Sequence, residues 1–275
     1  MRILRSLRIF IFILSVFTSV FTSHSFESER VDSILISDIQ KGLNDLSFVG
    51  NEIISASNSS LLTAGIVLGT SISLMPYDKD MRKTALKNWG VVDGPAISIA
   101  NEYGNLLYPT LGTFATYGIG LATSDEALRG FSRKTFTSLL VAGGITTVMK
   151  SIMGRSRPFT NEGSANYSPF SIDDSRLSFP SGHTTVSFVM SASLSKVIDR
   201  WWADILLYGL ATGTAYARMH NDRHWLSDTV LGAAIGYYAV QWVQASDKKS
   251  DSVEKENMTI IPLIQPYSIG LMIAF

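Results

Sequence analysis

The sequence predicts an all-α protein, a helical bundle of about six core helices with a short C-terminal β-hairpin. Three observations carry this prediction. Six stretches free of charged residues alternate with charged connections; 46% of the 275 residues are hydrophobic and only 17% charged; and the chain closes on two short apolar runs around a turn candidate. The six stretches, 53–77, 103–124, 135–149, 183–195, 205–217 and 229–246, exceed ordinary strand length and are rich in Leu, Ala and Met. Each therefore reads as a helix.

Taken in order, the chain opens on a segment that does not belong to the fold. Arg2, Arg5 and Arg8 precede an apolar run over 9–21, and Ser23-His24-Ser25 offers a small-x-small cleavage pattern. This is the arrangement of a secretory signal peptide over 1–25, with an uncleaved signal anchor as the alternative. Its removal takes three basic residues and no acidic one, leaving an acidic mature chain. Residues 26–52 are mixed and charged, with a short amphipathic helix expected around 34–46. The helical domain covers 53–246, and its last helix carries Gly232 and Gly236 four apart, a spacing that lets helices approach closely. A charged linker is expected over 247–257 and a hairpin over 258–275, turning at Gln265-Pro266-Tyr267-Ser268.

Charge and composition exclude several classes. Lys+Arg and Asp+Glu are equal at 23 each, mean hydropathy is +0.19, and there is no cysteine. A disordered chain and a basic nucleic-acid binder do not fit. Disulfides, thiolate metal sites and cysteine nucleophiles are ruled out.

The residues suited to chemistry fall at helix ends. Lys150 closes the third predicted helix, with Arg157-Pro158 beyond it. Ser181, Gly182 and His183 open the fourth, Arg218 closes the fifth, and His224 with Asp228 opens the sixth. In an up-and-down bundle these four ends share one face. Two arginines and a lysine there suit a phosphate-like oxyanion, and a helix N-terminus with a glycine adds backbone donors at close range. Such a cationic pocket repels metal cations, so no metal and no cofactor is expected. His224 and Asp228, four apart, would share a helix face and hydrogen-bond, leaving the other ring nitrogen as a nucleophile. His183 would act as the acid that protonates the leaving alkoxide. His220 reads as structural or solvent-exposed, and Arg155 and Arg223 either as added positive potential near the mouth or as plain surface charges. Trp201, Trp202, Trp225 and Trp242 fit core or membrane-interface positions.

These motifs resemble one family. Lys150, six residues, then Arg157-Pro158; Pro180-Ser181-Gly182-His183; and Arg218, five residues, His224, three residues, Asp228 are similar to the three-part signature of the phosphatidic acid phosphatase type 2 / vanadium haloperoxidase superfamily. The resemblance implies an acid phosphatase/vanadium haloperoxidase-like bundle. It further implies His224 as nucleophile, Asp228 as its orienting partner, His183 as acid/base, and Lys150, Arg157, Ser181, Gly182 and Arg218 as phosphate contacts. Ala217 stands where the third motif commonly has serine, which removes one hydroxyl. The implied activity is metal-independent hydrolysis of a phosphomonoester or pyrophosphate, with a lipid-borne phosphate as substrate and the membrane as a contact. A vanadate-dependent haloperoxidase and a non-catalytic anion-binding envelope protein are the alternatives. Residues 78–124 and 159–179 are expected to contact the leaving group, whose identity stays open.

Location follows less directly. If the signal is cleaved and all six helices span a bilayer, the catalytic face points to the cytoplasm. The export signal and two short helices together favour a periplasmic domain that is soluble or lies on a membrane, with an integral membrane protein as the alternative.

Overall fold

The computed structural model describes residues 28–87, 94–257, 259–265 and 268–274. The signal segment 1–25 and the turn residues 266–267 lie outside the described residues. Helices dominate, as the charge-free stretches predict: α1 (Ser28–Ile54), α2 (Asn58–Leu74), α3 (Asp78–Lys87), α4 (Pro95–Tyr103), α5 (Leu107–Ala122), α6 (Glu126–Met153), α7 (Gly182–Ile198), α8 (Trp201–His220) and α9 (Leu226–Asn257).

The helix boundaries have local causes. Ser57 Oγ accepts the Ser60 amide at the start of α2, and Asp125 accepts the amides of Ala127 and Leu128 at the start of α6. Each side chain satisfies donors that the first turn leaves orphaned. Pro95 opens α4, where its missing N–H is harmless. Gly154 ends α6 at φ 58, and a Cβ there would lie 1.7 Å from the Ser168 carbonyl oxygen, so only glycine fits the turn.

Three extents differ from the sequence reading. The N-terminal helix is longer than the 34–46 expected, because Asp38 and Asp45 tie it down on both sides of its middle. Asp38 accepts from Arg129 Nε (3.0 Å) and the Tyr117 hydroxyl (3.0 Å), while Asp45 pairs with Arg133 and accepts from Ser246 Oγ (2.5 Å). The charged stretch 247–257 is not a break but the end of α9, since no Gly or Pro interrupts it and Lys and Glu favour helix. Finally, α3 and α4 were not foreseen. Beyond α9, β1 (Thr259–Gln265) and β2 (Ser268–Ala274) pair antiparallel with each other.

The bundle is organised around α7, which packs on α6, α8 and α9. Leu139 and Ala142 of α6, Val189 and Ala192 of α7, and Leu231, Ile235, Ala239 and Val240 of α9 meet there with Phe179. The closest approach is made by glycines. A Cβ on Gly232 would lie 2.5 Å from the Ser181 carbonyl oxygen, and one on Gly236 would lie 2.3 Å from that of Thr185. The four-residue spacing thus brings α9 onto the backbone of α7, as its pattern predicts.

What is buried and what is exposed are unusual for a water-surrounded bundle. Thr184, Thr185, Ser187, Ser191 and Ser193 of α7 are buried, and Ser191 Oγ bonds the Leu207 carbonyl of α8 at 2.7 Å. Large apolar side chains face outward instead: Leu61, Leu62, Ile66 and Ile72 on α2, Leu107, Leu111 and Phe114 on α5, and Ile205 and Leu206 on α8. Two helical stretches, Ser60–Lys87 and Glu126–Met153, are long and apolar enough to cross a membrane.

Candidate active site

Four helix ends converge, and the contacts between them are short. The Ser181 amide, at the N-cap of α7, donates to the Asp228 carbonyl in the first turn of α9 (2.9 Å). Lys150 Nζ, in the last turn of α6, donates to the Leu177 carbonyl (2.5 Å). The amides of Arg223 and His224 both reach the Arg218 carbonyl at the end of α8 (3.0 and 3.3 Å). The convergence expected from an up-and-down bundle is therefore present, and Lys150, Arg157 and Arg218 all lie close enough to act electrostatically on both His183 and His224.

Arg157 and Arg218 are both held and both largely buried. Arg157 sits on the connection between α6 and α7, where its Nε and Nη2 donate to the carbonyl (2.7 Å) and carboxylate (2.6 Å) of Asp174. Arg218 Nη1 donates to Asn101 Oδ1 of α4 (2.7 Å). Its Nε is buried with no partner among the described residues. A buried guanidinium donor left open is costly unless something accepts from it, and an anion in the pocket would do so.

The nucleophile candidate is placed differently from its sequence reading. His224 lies before α9 rather than on it, so the shared helix face with Asp228 does not form. Nδ1 donates to the Ser178 carbonyl at 2.7 Å, while Asp228 Oδ2 is 3.6 Å away, beyond hydrogen-bond range. A carbonyl only accepts, so Nδ1 carries the proton and Nε2 keeps its lone pair. Burial, reinforced by the positive charges of Lys150, Arg157 and Arg218, holds the His224 imidazole well below its ordinary pKa. Both causes favour the neutral ring.

Asp228 instead anchors the α9 end. Its Oδ2 accepts the Trp225 amide (2.8 Å), the N3-to-N-cap half of a capping box, and the Ser178 hydroxyl (2.5 Å). Its Oδ1 accepts from Arg155 Nη1 (2.5 Å). Arg155 is thus no surface charge: it is fully buried, and its Nη2 reaches Asp78 Oδ2 of α3 at 2.6 Å. The reason is that Arg155 follows Gly154 directly, and the left-handed turn there directs the chain inward rather than along the helix. Arg223 does stay exposed, its guanidinium 5.2 Å from the Phe159 ring. His220 is buried in the last turn of α8, beside Tyr216.

Sequence reasoning missed Asp78, Asn101, Arg155 and the Ser178 carbonyl. Nothing marks Asp78 or Asn101 in sequence, and a backbone carbonyl carries no side-chain signal. For Arg155 the position after the helix-ending glycine was the available clue.

Residues 133–250 match the sequence model of the PAP2 superfamily. This stretch, less than half of the chain, is similar to PAP2 superfamily proteins. Lys150, Arg157, His183, Arg218, His224 and Asp228 all fall within it, whereas Asp78 and Asn101 reach the PAP2 segment from outside. Two lipid A 1-phosphatases are similar: one from Porphyromonas gingivalis, 27% identical over 132 residues (47% of this chain, 27% of that protein), and one from Rhizobium etli, 29% identical over 103 residues (37% and 44%). The chain spans less than half the length of either relative. A transmembrane PAP2-type phosphatidylglycerolphosphate phosphatase from Bacillus subtilis shares the fold, with a TM-score of 0.52 at 18% identity, covering 70% of this chain and 96% of that one.

Proposed function

We propose that this protein is a metal-independent lipid phosphatase that hydrolyses a phosphomonoester or pyrophosphate through a phosphohistidine at His224. The observation that carries the reading is the 2.7 Å bond from His224 Nδ1 to the Ser178 carbonyl, which leaves Nε2 as a lone-pair donor beside three cations. In the first step Nε2 attacks phosphorus and the bond to the leaving oxygen breaks. His183 gives that oxygen its proton. In the second step water attacks the phosphohistidine, His183 takes its proton, and the P–N bond breaks to free phosphate and restore Nε2. Lys150, Arg157 and Arg218, with the Gly182 amide and the Ser181 hydroxyl, hold the equatorial oxygens, where charge stabilisation is the largest contribution.

The lipid character of the substrate rests on the similar lipid A 1-phosphatases and on the outward apolar faces of α2, α5 and α8. Small hydroxylated residues between helices, with large apolar ones outside, are the packing of a bundle set in hydrocarbon. The bundle is accordingly membrane-embedded, with the exposed Trp201 and Trp202 at one interface and the site near the other. The test is a panel of lipid phosphates and pyrophosphates presented in detergent micelles with excess chelator. Phosphate release is expected from at least one of them and is abolished by His224→Ala; release at the wild-type rate from His224→Ala overturns the nucleophile assignment. Chelator-sensitive turnover overturns metal independence.

A further inference from the structure

Asp78 lies outside the PAP2 segment, yet it is wired to the catalytic end through buried contacts alone. Its Oδ1 accepts the Ser227 amide (2.9 Å), and its Oδ2 accepts from the Ser227 hydroxyl (2.8 Å) and Arg155 Nη2 (2.6 Å). Arg155 continues the chain. Its Nη1 donates to Ser227 Oγ (2.8 Å) and to Asp228 Oδ1 (2.5 Å), and its Nε donates to the Ser164 carbonyl (2.8 Å). Phe179, Trp225 and Tyr167 surround the guanidinium with ring centroids 5.7–5.9 Å away. Asp78, Arg155, Ser227 and Asp228 are all fully buried.

The charge count of this cluster is informative. A lone Arg155–Asp228 pair would be neutral, and Asp228 would then present little net negative charge to His224, 3.6 Å away. The second carboxylate, held ionised by its donors Arg155 and Ser227, restores a net charge of one negative unit. In a buried, low-dielectric cluster that charge is felt at the imidazole. His224 is otherwise faced by positive groups: Lys150 from α6, Arg157 from the connecting loop and Arg218 from α8, with His183 at the start of α7 across the pocket. An imidazole that must become positive as it attacks phosphorus needs a counter-charge from the other side.

We infer that Asp78 and Arg155 form a positioning pair that fixes Asp228 and keeps a net negative charge behind the nucleophile His224. This rests on the reading of His224 as nucleophile. Arg155 supplies geometry, since its planar fork engages both carboxylates at once, which a lysine cannot do. Asp78 supplies charge. Neither touches the substrate, and both act through Asp228. The short helix α3 is therefore part of the catalytic apparatus even though it lies outside the region that carries the motifs.

The experiment uses the full chain in detergent micelles, with para-nitrophenyl phosphate as the turnover probe and orthovanadate as the active-site titrant. Asp78→Asn is expected to lower kcat roughly tenfold or more, on the scale of lost partners that orient a functional histidine, with KM within about twofold. Removal of a negative charge also shifts the acid limb of the kcat profile to lower pH. Arg155→Lys keeps the charge and loses the fork, so kcat falls while the acid limb stays in place. Should either variant fail to fold, Ser227→Ala removes only the hydroxyl that bridges Asp78 and Arg155, and a kcat loss of about threefold is expected. Folded variants with wild-type kcat and an unmoved acid limb overturn the proposal. So does a kcat loss matched by an equal loss of orthovanadate-binding sites, because that is a purely structural effect. His224→Ala separates the two readings: if it is inactive while Asp78→Asn is kinetically normal, only the positioning role fails. Retained turnover in His224→Ala removes the nucleophile itself.

Discussion

Asn101 Oδ1 accepts a 2.7 Å hydrogen bond from Arg218 Nη1, so a side chain of α4 aims a guanidinium carried by α8. The bond fixes one arm of the fork while the buried Nε has no partner among the described residues. Asn101→Ala should therefore weaken oxyanion binding without removing any charge. An increase of roughly ten- to 150-fold in the orthovanadate inhibition constant is expected, the range for a hydrogen bond to a charged group. An unchanged constant would mean that Arg218 is aimed by other contacts.

Asp174 makes the opposite kind of contact. It engages Arg157 twice, yet its own side chain is mostly exposed. The carboxylate competes with any incoming anion for the same guanidinium, while the Asp174 carbonyl continues to hold Nε. Asp174→Asn should thus bind inorganic phosphate more tightly, by a factor of about five or less, since a solvent-screened pair is worth little. Product-inhibition constants measured at two salt concentrations check this, and weaker phosphate binding would show that the carboxylate is needed for aim.

The neutral His224 gives a signed pH dependence. Its folded-state pKa is depressed by burial and by Lys150, Arg157 and Arg218, so below about pH 6.5 the unfolded chain binds more protons than the folded one. This contribution to stability is complete above that pH and is lost as pH falls, at up to about 1.4 kcal/mol per pH unit. As the proposed nucleophile, His224 also stays unprotonated further into acid than a free imidazole, so the acid limb of kcat/KM should lie below pH ~6.5. Unfolding midpoints across pH, compared with His224→Gln, test the first statement. The rate profile tests the second.

Helix contact at α7 and α9 depends on two absent methyl groups. Gly236→Ala places a Cβ 2.3 Å from the Thr185 carbonyl oxygen, so the helices must separate. A loss of about 1–3 kcal/mol is expected, with reduced turnover because the N-terminus of α7 carries His183. Gly143→Ala is the control: a Cβ there meets nothing within 4 Å, and the substitution should stabilise α6 by about 0.5–1 kcal/mol. Thermal unfolding of both variants decides the comparison, and equal effects would refute the close-contact argument.

The six core helices were legible because a charged side chain is expensive inside such a bundle, so its absence over long runs marks the buried and the outward apolar segments directly. The convergence of Lys150, Arg157, His183, Arg218, His224 and Asp228 followed from topology, which needs only alternating direction. The His224–Asp228 bond was misread because spacing along a helix says nothing until the helix start is known, and α9 begins two residues too late. Asp78, Arg155 and Asn101 were illegible for a related reason. Each acts through a partner distant in sequence, and burial of a charge on one residue is decided by what the rest of the chain places around it. The helical continuation through 247–257 was hidden by charge, which marks exposure but not the end of a helix.

The atom that fixes the His224 tautomer is the carbonyl of Ser178, a backbone oxygen that every residue type presents wherever the chain path is kept. Substitutions along the loop that leads to it can therefore remodel the mouth of the pocket while the lone pair on Nε2 stays aimed. Under the proposed mechanism, divergence toward new leaving groups is open in the very segment that supports the attacking nitrogen, provided the backbone trace at 178 is kept.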